Sequence, residues 1–374
     1  PQSGDSWCLL GSLYQKKGDL EQAERCFREG LRVEPGRFSV LRAVAIFLGD
    51  MARFDEAFDL YQSVVAAPDG TVGLSGAYDG YLFLLNYHPE FDGERVYAAY
   101  REYNERFGKV LLPATRPHPK PLQGRRLRVA YVSPDFRQHS TMRFLLPLVA
   151  AHDRSRIELF AYAELTHEDV TTAEYKRHFD AWIPTIGMRH DEVAQRIRDD
   201  AIDVIVDAAG HTSDNRLLAL ARQPAPVSVT WLGYGYTTGL TAIDWFLTDD
   251  MTVPTGSEHL FAERPWRLPN VAFAYKPADD MGEPGPLPAL RHGHVTFGCL
   301  SRAIRINRRV IAVWARLLLE VPEAKLIINS DLFAAPAMQA QMIESFAAHG
   351  VSAERLEVGF SSPAWDLLRR IDVT

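Results

Sequence analysis

What most constrains this chain is a change of hydrophobic period at Leu127. From there on, short runs rich in β-branched and aromatic residues alternate with helix-length stretches. LRVAYV is followed by the loop SPDFRQHS, a helical stretch at about 141–152 and a strand, IELFAYA, at 157–163. A helix at about 191–200, the strand DVIVDAA at 203–209, a helix at about 213–222 and the strands PVSVTWLG and DWFLTD continue the series. Strands that alternate with helices imply a mostly parallel, doubly wound (Rossmann-like) sheet. Ligands bind such sheets outside the carboxyl ends of the strands. The expected extent of this domain is 126–275.

Residues 275–293 are rich in Pro and Gly and read as a linker. VTFGCL then opens a second series over 292–374: helix 307–320, strand KLIINS, helix 335–349, strand LEVGF and helix 362–370. Asp372–Thr374 reads as the start of another strand. The expectation is a second doubly wound domain that is truncated, because roughly 80 residues are few for a closed domain of this kind. Neither a GxGxxG after the first strand nor a Walker loop is present, so simple dinucleotide binding and phosphate-loop ATPase chemistry lack support.

The first third has a different logic. In residues 7–35, Trp7, Leu10, Gly11, Tyr14, Ala23, Phe27 and Pro35 have the spacing of a tetratricopeptide repeat. Small residues at Gly11 and Ala23 let two antiparallel helices approach, Trp7, Leu10, Tyr14 and Phe27 fill the seam, and Pro35 ends the second helix. A second copy follows one repeat later, with Leu41, Ala45, Ala57 and Tyr61 at equivalent places. The repeats are assigned to 1–69 and a helical connector to 70–110, where His88 before Pro89 reads as structural. A linker with four prolines, expected to be extended and solvated, takes 111–125. Two repeats are few for such a stack, and the chain starts without Met inside one, so earlier repeats are expected.

Composition narrows the partners. Hydrophobic residues make up 47% and charged residues 24%, a soluble globular balance. A net charge of −7 argues against nucleic acid or an anionic membrane as partner. No apolar run reaches membrane-spanning length. Cys8, Cys26 and Cys299 form no C-x-x-C pair, which speaks against structural zinc and fits a reducing, cytoplasmic setting.

VAYVSPDFRQHSTMRFLLPL, DVIVDAAGHTSDNRLLALARQPAPVSVTWLGYGYTTG, and VTFGCLSRAIRI ahead of VWARLLLEVP resemble the protein O-GlcNAc transferases. The SPINDLY-type O-fucosyltransferases are about as similar, and the GHT and RPAPV-type blocks lean toward the bacterial and SPINDLY-like branch. The resemblance implies a GT-B glycosyltransferase with two doubly wound domains facing a cleft. It implies inverting transfer of GlcNAc from UDP-GlcNAc to Ser or Thr of proteins, with no cofactor and no obligatory metal. The repeats would guide protein or peptide acceptors. Two alternatives remain: fucosyl transfer from GDP-fucose, and a non-catalytic repeat module with a degenerate cleft. A donor-binding Thr-rich segment of the family is expected beyond Thr374, so this stretch by itself is expected to be inactive.

Site residues follow from the same blocks. His139, in the loop after the first strand, matches an active-site His of the family, and an imidazole can accept or relay a proton near neutrality. Asp135 either orients that ring or caps the turn. Gly210, His211 and Thr212 are expected to line the cleft; otherwise Thr212, Ser213 or Asp214 caps a helix and His211 packs. Gly233, Tyr234, Thr238 and Gly239 belong to a cleft-lining loop, while Trp231 reads as core. Arg305 stands where the family has a donor-binding Lys, and Arg302 where it has an amide; both are assigned to the donor diphosphate, with a solvated basic helix start as the alternative. Gln195 aligns with a carboxylate proposed as base in the family, and Gly235 with a Pro. These departures favour the non-catalytic alternative.

Overall fold

The computed structural model describes residues 2–374 and divides into two compact units. One holds the chain up to Thr71, Leu84–Glu90 and Asp279–Thr374; the other holds Val72–Phe83 and Phe91–Ala278. The connector assigned to 70–110 is therefore shared between them.

The repeats form two antiparallel helix pairs: α1 (Gly4–Lys16) with α2 (Leu20–Val33), and α3 (Phe38–Asp50) with α4 (Phe54–Val65). Ser3 and Asp19 cap α1 and α2 by accepting from the Ser6 and Gln22 amides. A Cβ at Gly11 would lie 3.1 Å from the Phe27 ring. Ala23, Ala45 and Ala57 are fully buried, and Phe27 stacks on Phe47 at 4.6 Å. Trp7, Leu10 and Tyr14 are half-buried, and a Cβ at Gly30 of α2 would lie 3.6 Å from Trp7 Cβ. Cys8 and Cys26 are buried packing groups; burial pushes both thiols up, Cys8 to about 11.

Helices α5 (Leu74–Leu85) and α6 (Gly93–Tyr103) follow, the latter running on as a π turn over Asn104–Gly108. His88, between them, is buried with its ring against Phe54 and Phe58. Its Nδ1 accepts from the Glu90 amide and its Nε2 lies 3.3 Å from Asp55.

The larger sheet is parallel throughout, in the order β3-β2-β1-β4-β5-β6-β7. Its strands are β1 (Leu127–Ser133), β2 (Ile157–Ala163), β3 (Ala181–Pro184), β4 (Val204–Asp207), β5 (Val227–Thr230), β6 (Trp245–Asp249) and β7 (Arg264–Leu268). The helices among them are α7 (Met142–Ala151), α8 (Val170–His178), α9 (His190–Asp199) and α10 (Leu217–Leu220). Val129, Tyr131, Leu159, Val206 and Val229 make the core beneath Phe136, Tyr175 and Phe179.

Three of these elements have no counterpart in the sequence reading. β3 and β7 are the two edges, where a proline costs no ladder bond, so both carry one and break the strand signature. α8 has little apolar stripe; the reciprocal cap between Asp169 and Thr172 fixes its start. The helix expected at 213–222 shrinks to α10, since Asp214 takes a left-handed turn (φ 60°) and the Asn215 side chain caps Leu217. Nor is the 111–125 linker simply solvated. Arg116 grips Asp244 through two bonds of 2.6 and 2.5 Å, and Arg125 grips Asp203 at 2.6 and 2.7 Å.

The smaller sheet belongs to the first unit. After α11 (Ala289–His292) come β8 (Thr296–Cys299), α12 (Arg308–Glu320), β9 (Lys325–Asn329), α13 (Pro336–Ala347), β10 (Leu356–Gly359) and α14 (Trp365–Leu368). Its strands are parallel in the order β10-β9-β8, and Val373 makes a parallel bridge to Phe297 of β8. Both sheets thus have the doubly wound pattern of a GT-B-like fold.

Candidate functional site

Strand order in the larger sheet reverses between β1 and β4. At such a switch point the loops leaving the two carboxyl ends diverge and open a crevice. Here those loops are 134–141, with Asp135 and His139, and 208–216, with Gly210, His211 and Thr212.

The first loop is held from below. Phe136 is buried against Tyr175, Phe179 and Trp182. The α8 start grips the backbone: Asp169 accepts from the Gln138 amide (2.7 Å) and Thr172 donates to the Phe136 carbonyl (2.8 Å). On this support the His139 ring is 38% exposed, with Nδ1 3.0 Å from Thr141 Oγ1 and 3.5 Å from Asp135 Oδ2. Nε2 makes no hydrogen bond among the described residues. Asp135 is only 6% exposed. Burial pushes its carboxyl up against the pull of His139 and Arg137, and Asp214 from the second loop adds to the rise.

The second loop is packed more tightly than its sequence suggests. Buried Asp207 accepts from the Ala209 and Gly210 amides and the Thr230 hydroxyl. Gly210 has φ 54°, and a Cβ there would lie 2.2 Å from Tyr234 Cβ; one at Gly233 would lie 2.1 Å from the Ala208 carbonyl oxygen. These glycines serve the contact of loop 208–216 with loop 231–241. His211 shows no exposed side-chain surface. Its Nδ1 lies 2.6 Å from Asp79 and its Nε2 2.8 Å from the Thr238 carbonyl, with Tyr100, Tyr103 and Tyr234 around the ring. A carbonyl only accepts, so Nε2 carries a hydrogen.

His211 is therefore placed as a packed pin, the alternative to cleft lining. Tyr234 is buried with its hydroxyl 2.5 Å from that of Tyr100. Thr238 is buried on Glu263, which accepts from its amide and hydroxyl, and Gly239 lies under Tyr100. Of the residues assigned to the cleft wall, Thr212 and Gly233 keep partial exposure; Gly210, His211, Tyr234, Thr238 and Gly239 do not. Trp231 is core, donating to the Ala272 carbonyl. Gln195 lies on the exposed side of α9, bonded to Asp199 of the same helix. Sequence reasoning missed Asp79, Tyr100, Asp207 and Glu263. Among these, Asp207 alone had a local signal, as the acidic end of a strand before a glycine-bearing loop.

In the other unit, Arg302 and Arg305 occupy the turn after β8, at its carboxyl end. Arg305 donates to Ser301 Oγ (3.2 Å) and its guanidinium lies 6.0 Å from the Tyr87 ring centroid. Arg302 reaches Asp50 at 3.5 Å. Burial pushes the Asp50 carboxyl up despite Arg302 and Gln15. Asn307 caps α12, accepting from the Arg309 and Val310 amides. Among the described residues, no three His, Cys, Asp or Glu gather to hold a metal, and no helix is long and apolar enough to cross a membrane.

Comparison with known proteins agrees with this architecture. Residues 4–37 match a tetratricopeptide repeat and residues 107–277 match glycosyl transferase family 41. The chain is 32% identical over 281 residues to the probable UDP-N-acetylglucosamine–peptide N-acetylglucosaminyltransferase SPINDLY of Solanum lycopersicum, covering 74% of this chain and 30% of that protein. It is 36% identical over 157 residues to the UDP-N-acetylglucosamine–peptide N-acetylglucosaminyltransferase of Caenorhabditis elegans, covering 40% and 13%. A solved mutant of the Thermobaculum terrenum O-GlcNAc transferase superposes with a TM-score of 0.90 at 29% identity, covering 98% of this chain and 69% of that one. The chain spans about 30% of the length of the plant relatives it matches. With tetratricopeptide helices ahead of its doubly wound sheets, the chain belongs to glycosyl transferase family 41 and is related to the plant SPINDLY proteins.

Proposed function

We propose that this chain is part of an inverting transferase that moves N-acetylglucosamine from UDP-N-acetylglucosamine to Ser or Thr hydroxyls of proteins. The observation that carries the reading is His139, held at the β1–β4 switch point by Asp135 and Thr141 with Nε2 open. The acceptor oxygen attacks the anomeric carbon as the bond to the diphosphate oxygen breaks. Nε2 takes or relays the hydroxyl proton, while Thr141 holds the ring at Nδ1 and the nearby Asp135 carboxylate offsets the charge the ring gains. Arg305 and Arg302 offset the charge that collects on the leaving diphosphate, so the reading includes no obligatory metal. The repeats bring protein acceptors, and the three unpaired thiols suit the cytoplasm.

One observation favours a second reading, a non-catalytic protein-binding module. Arg302 and Arg305 already have partners, Asp50, Ser301 and Tyr87, within their own unit.

Titration calorimetry of the full-length protein with UDP-N-acetylglucosamine and GDP-fucose separates these readings. Saturable binding of the first supports the proposal. Binding of GDP-fucose alone would replace the sugar, and binding of neither would leave the binding module. In an active preparation, His139→Ala should lower transfer about 10²- to 10⁴-fold with the fold intact. Unchanged turnover would remove His139 from the chemistry.

A further inference from the structure

We propose that Tyr87 and Glu90 are positioning residues for the arginine segment 301–309, so that the helical region shapes the diphosphate-binding half as well as receiving acceptors. The proposal rests on the reading above that Arg302 and Arg305 meet a nucleotide diphosphate.

Four arginines fall within SRAIRINRR: Arg302, Arg305, Arg308 and Arg309. They repel one another, and the last two occupy the first turn of α12. There the positive end of the helix dipole favours acidic side chains over basic ones. A local rule broken in this way needs a compensation elsewhere in the fold. Glu90, 218 residues from Arg308 in sequence, supplies it. One carboxylate oxygen accepts from Arg308 at 2.7 Å and the other from Arg309 at 2.9 Å. Burial opposes ionisation of Glu90, but the two guanidinium groups outweigh it and hold the carboxyl below its ordinary range. Three residues earlier, the Tyr87 ring faces the Arg305 guanidinium, within reach of a cation–π contact.

The segment that carries these two groups is itself fixed. His88 is sunk between Phe54 and Phe58 of α4, and its Nδ1 accepts from the Glu90 amide. Pro89 restricts the backbone between them. A continuous series of contacts thus runs from the second repeat through 87–90 to the loop after β8, all within one unit.

Hydrogen–deuterium exchange on this chain, with UDP titrated into the full-length protein, tests the proposal. Glu90→Gln and Tyr87→Leu should raise exchange at 301–309 and weaken UDP binding roughly two- to fivefold, as loss of an exposed ion pair does. Glu90→Asp and Tyr87→Phe should restore much of both, and the melting temperature should barely move. Unchanged exchange at 301–309 in both disruptive variants overturns the positioning role, whatever the nucleotide result. Raised exchange with unaltered UDP affinity overturns its link to the donor. If the unaltered protein binds neither UDP nor GDP, the functional reading fails, and the exchange data still decide the positioning role.

Discussion

Gly233 and Gly235 lie two positions apart and differ in everything around them. A methyl at 233 would strike the Ala208–Ala209 backbone at 2.1 to 2.6 Å, whereas one at 235 meets nothing within 4 Å. Gly233→Ala should therefore cost about 1–3 kcal/mol, as overpacking does. Gly235→Ala, at a backbone angle open to any residue, should stabilise by about 0.5 kcal/mol through the unfolded chain. Urea midpoints that move the same way in both would contradict this account. Glu263 sets a pH dependence. Burial pushes its carboxyl up, against the bonds from Thr237 and Thr238. The native state then binds this proton more readily than the unfolded chain. The resulting stability is complete below the ordinary glutamate value, about 4.3, and is lost as pH rises through the raised native value. Glu263→Gln removes that slope, so the variant should gain on the parent as pH rises from the ordinary glutamate value through the raised native one. A constant difference in urea midpoint across that range would rule this out.

At the scale of elements, the site depends on segments with weak signatures. α8 supplies the Asp169 and Thr172 contacts that hold the His139 loop, although its own helical pattern is faint. The 111–125 segment acts as a strap. Arg116 bonds Asp244 twice and adds contacts to the Ala225 carbonyl and Ser228. Burial works against ionisation of Asp244, yet the bonds from Arg116 and Ser228 prevail and keep its carboxyl low. Arg116→Ala leaves that half-buried carboxylate short of a partner and should cost about 1–3 kcal/mol. Arg116→Lys, which cannot reproduce the two-pronged contact, should recover only part of it. Equal urea midpoints for the parent and Arg116→Ala would return the segment to a solvated linker.

At the scale of the whole molecule, neither unit is continuous in sequence. The repeats share a unit with the smaller sheet, and the connector divides at Phe83 and again at Glu90. The arginines after β8 consequently find partners at Asp50, Tyr87 and Glu90, more than two hundred residues earlier. The α/β unit has the same habit: Asp79 reaches His211 and Asn215 across more than a hundred residues. In both units residues of the helical region hold segments that follow the carboxyl ends of strands.

The sequence by itself determined the features that repeat at short range. Repeat spacing placed the helix pairs, and apolar runs placed β1, β2, β4, β5 and β6. Edge strands β3 and β7 escaped because an edge tolerates proline and partial exposure, which erase the strand pattern. Only the tertiary structure decided whether a loop residue faces solvent or core. His211 and His139 both follow a strand in polar loops, yet one is enclosed by Asp79 and three tyrosines and the other stays open at Nε2. Periodicity says which side of an element a residue occupies. It says nothing of what a distant part of the chain will pack against that side, and here that packing fixes partners, burial and charge.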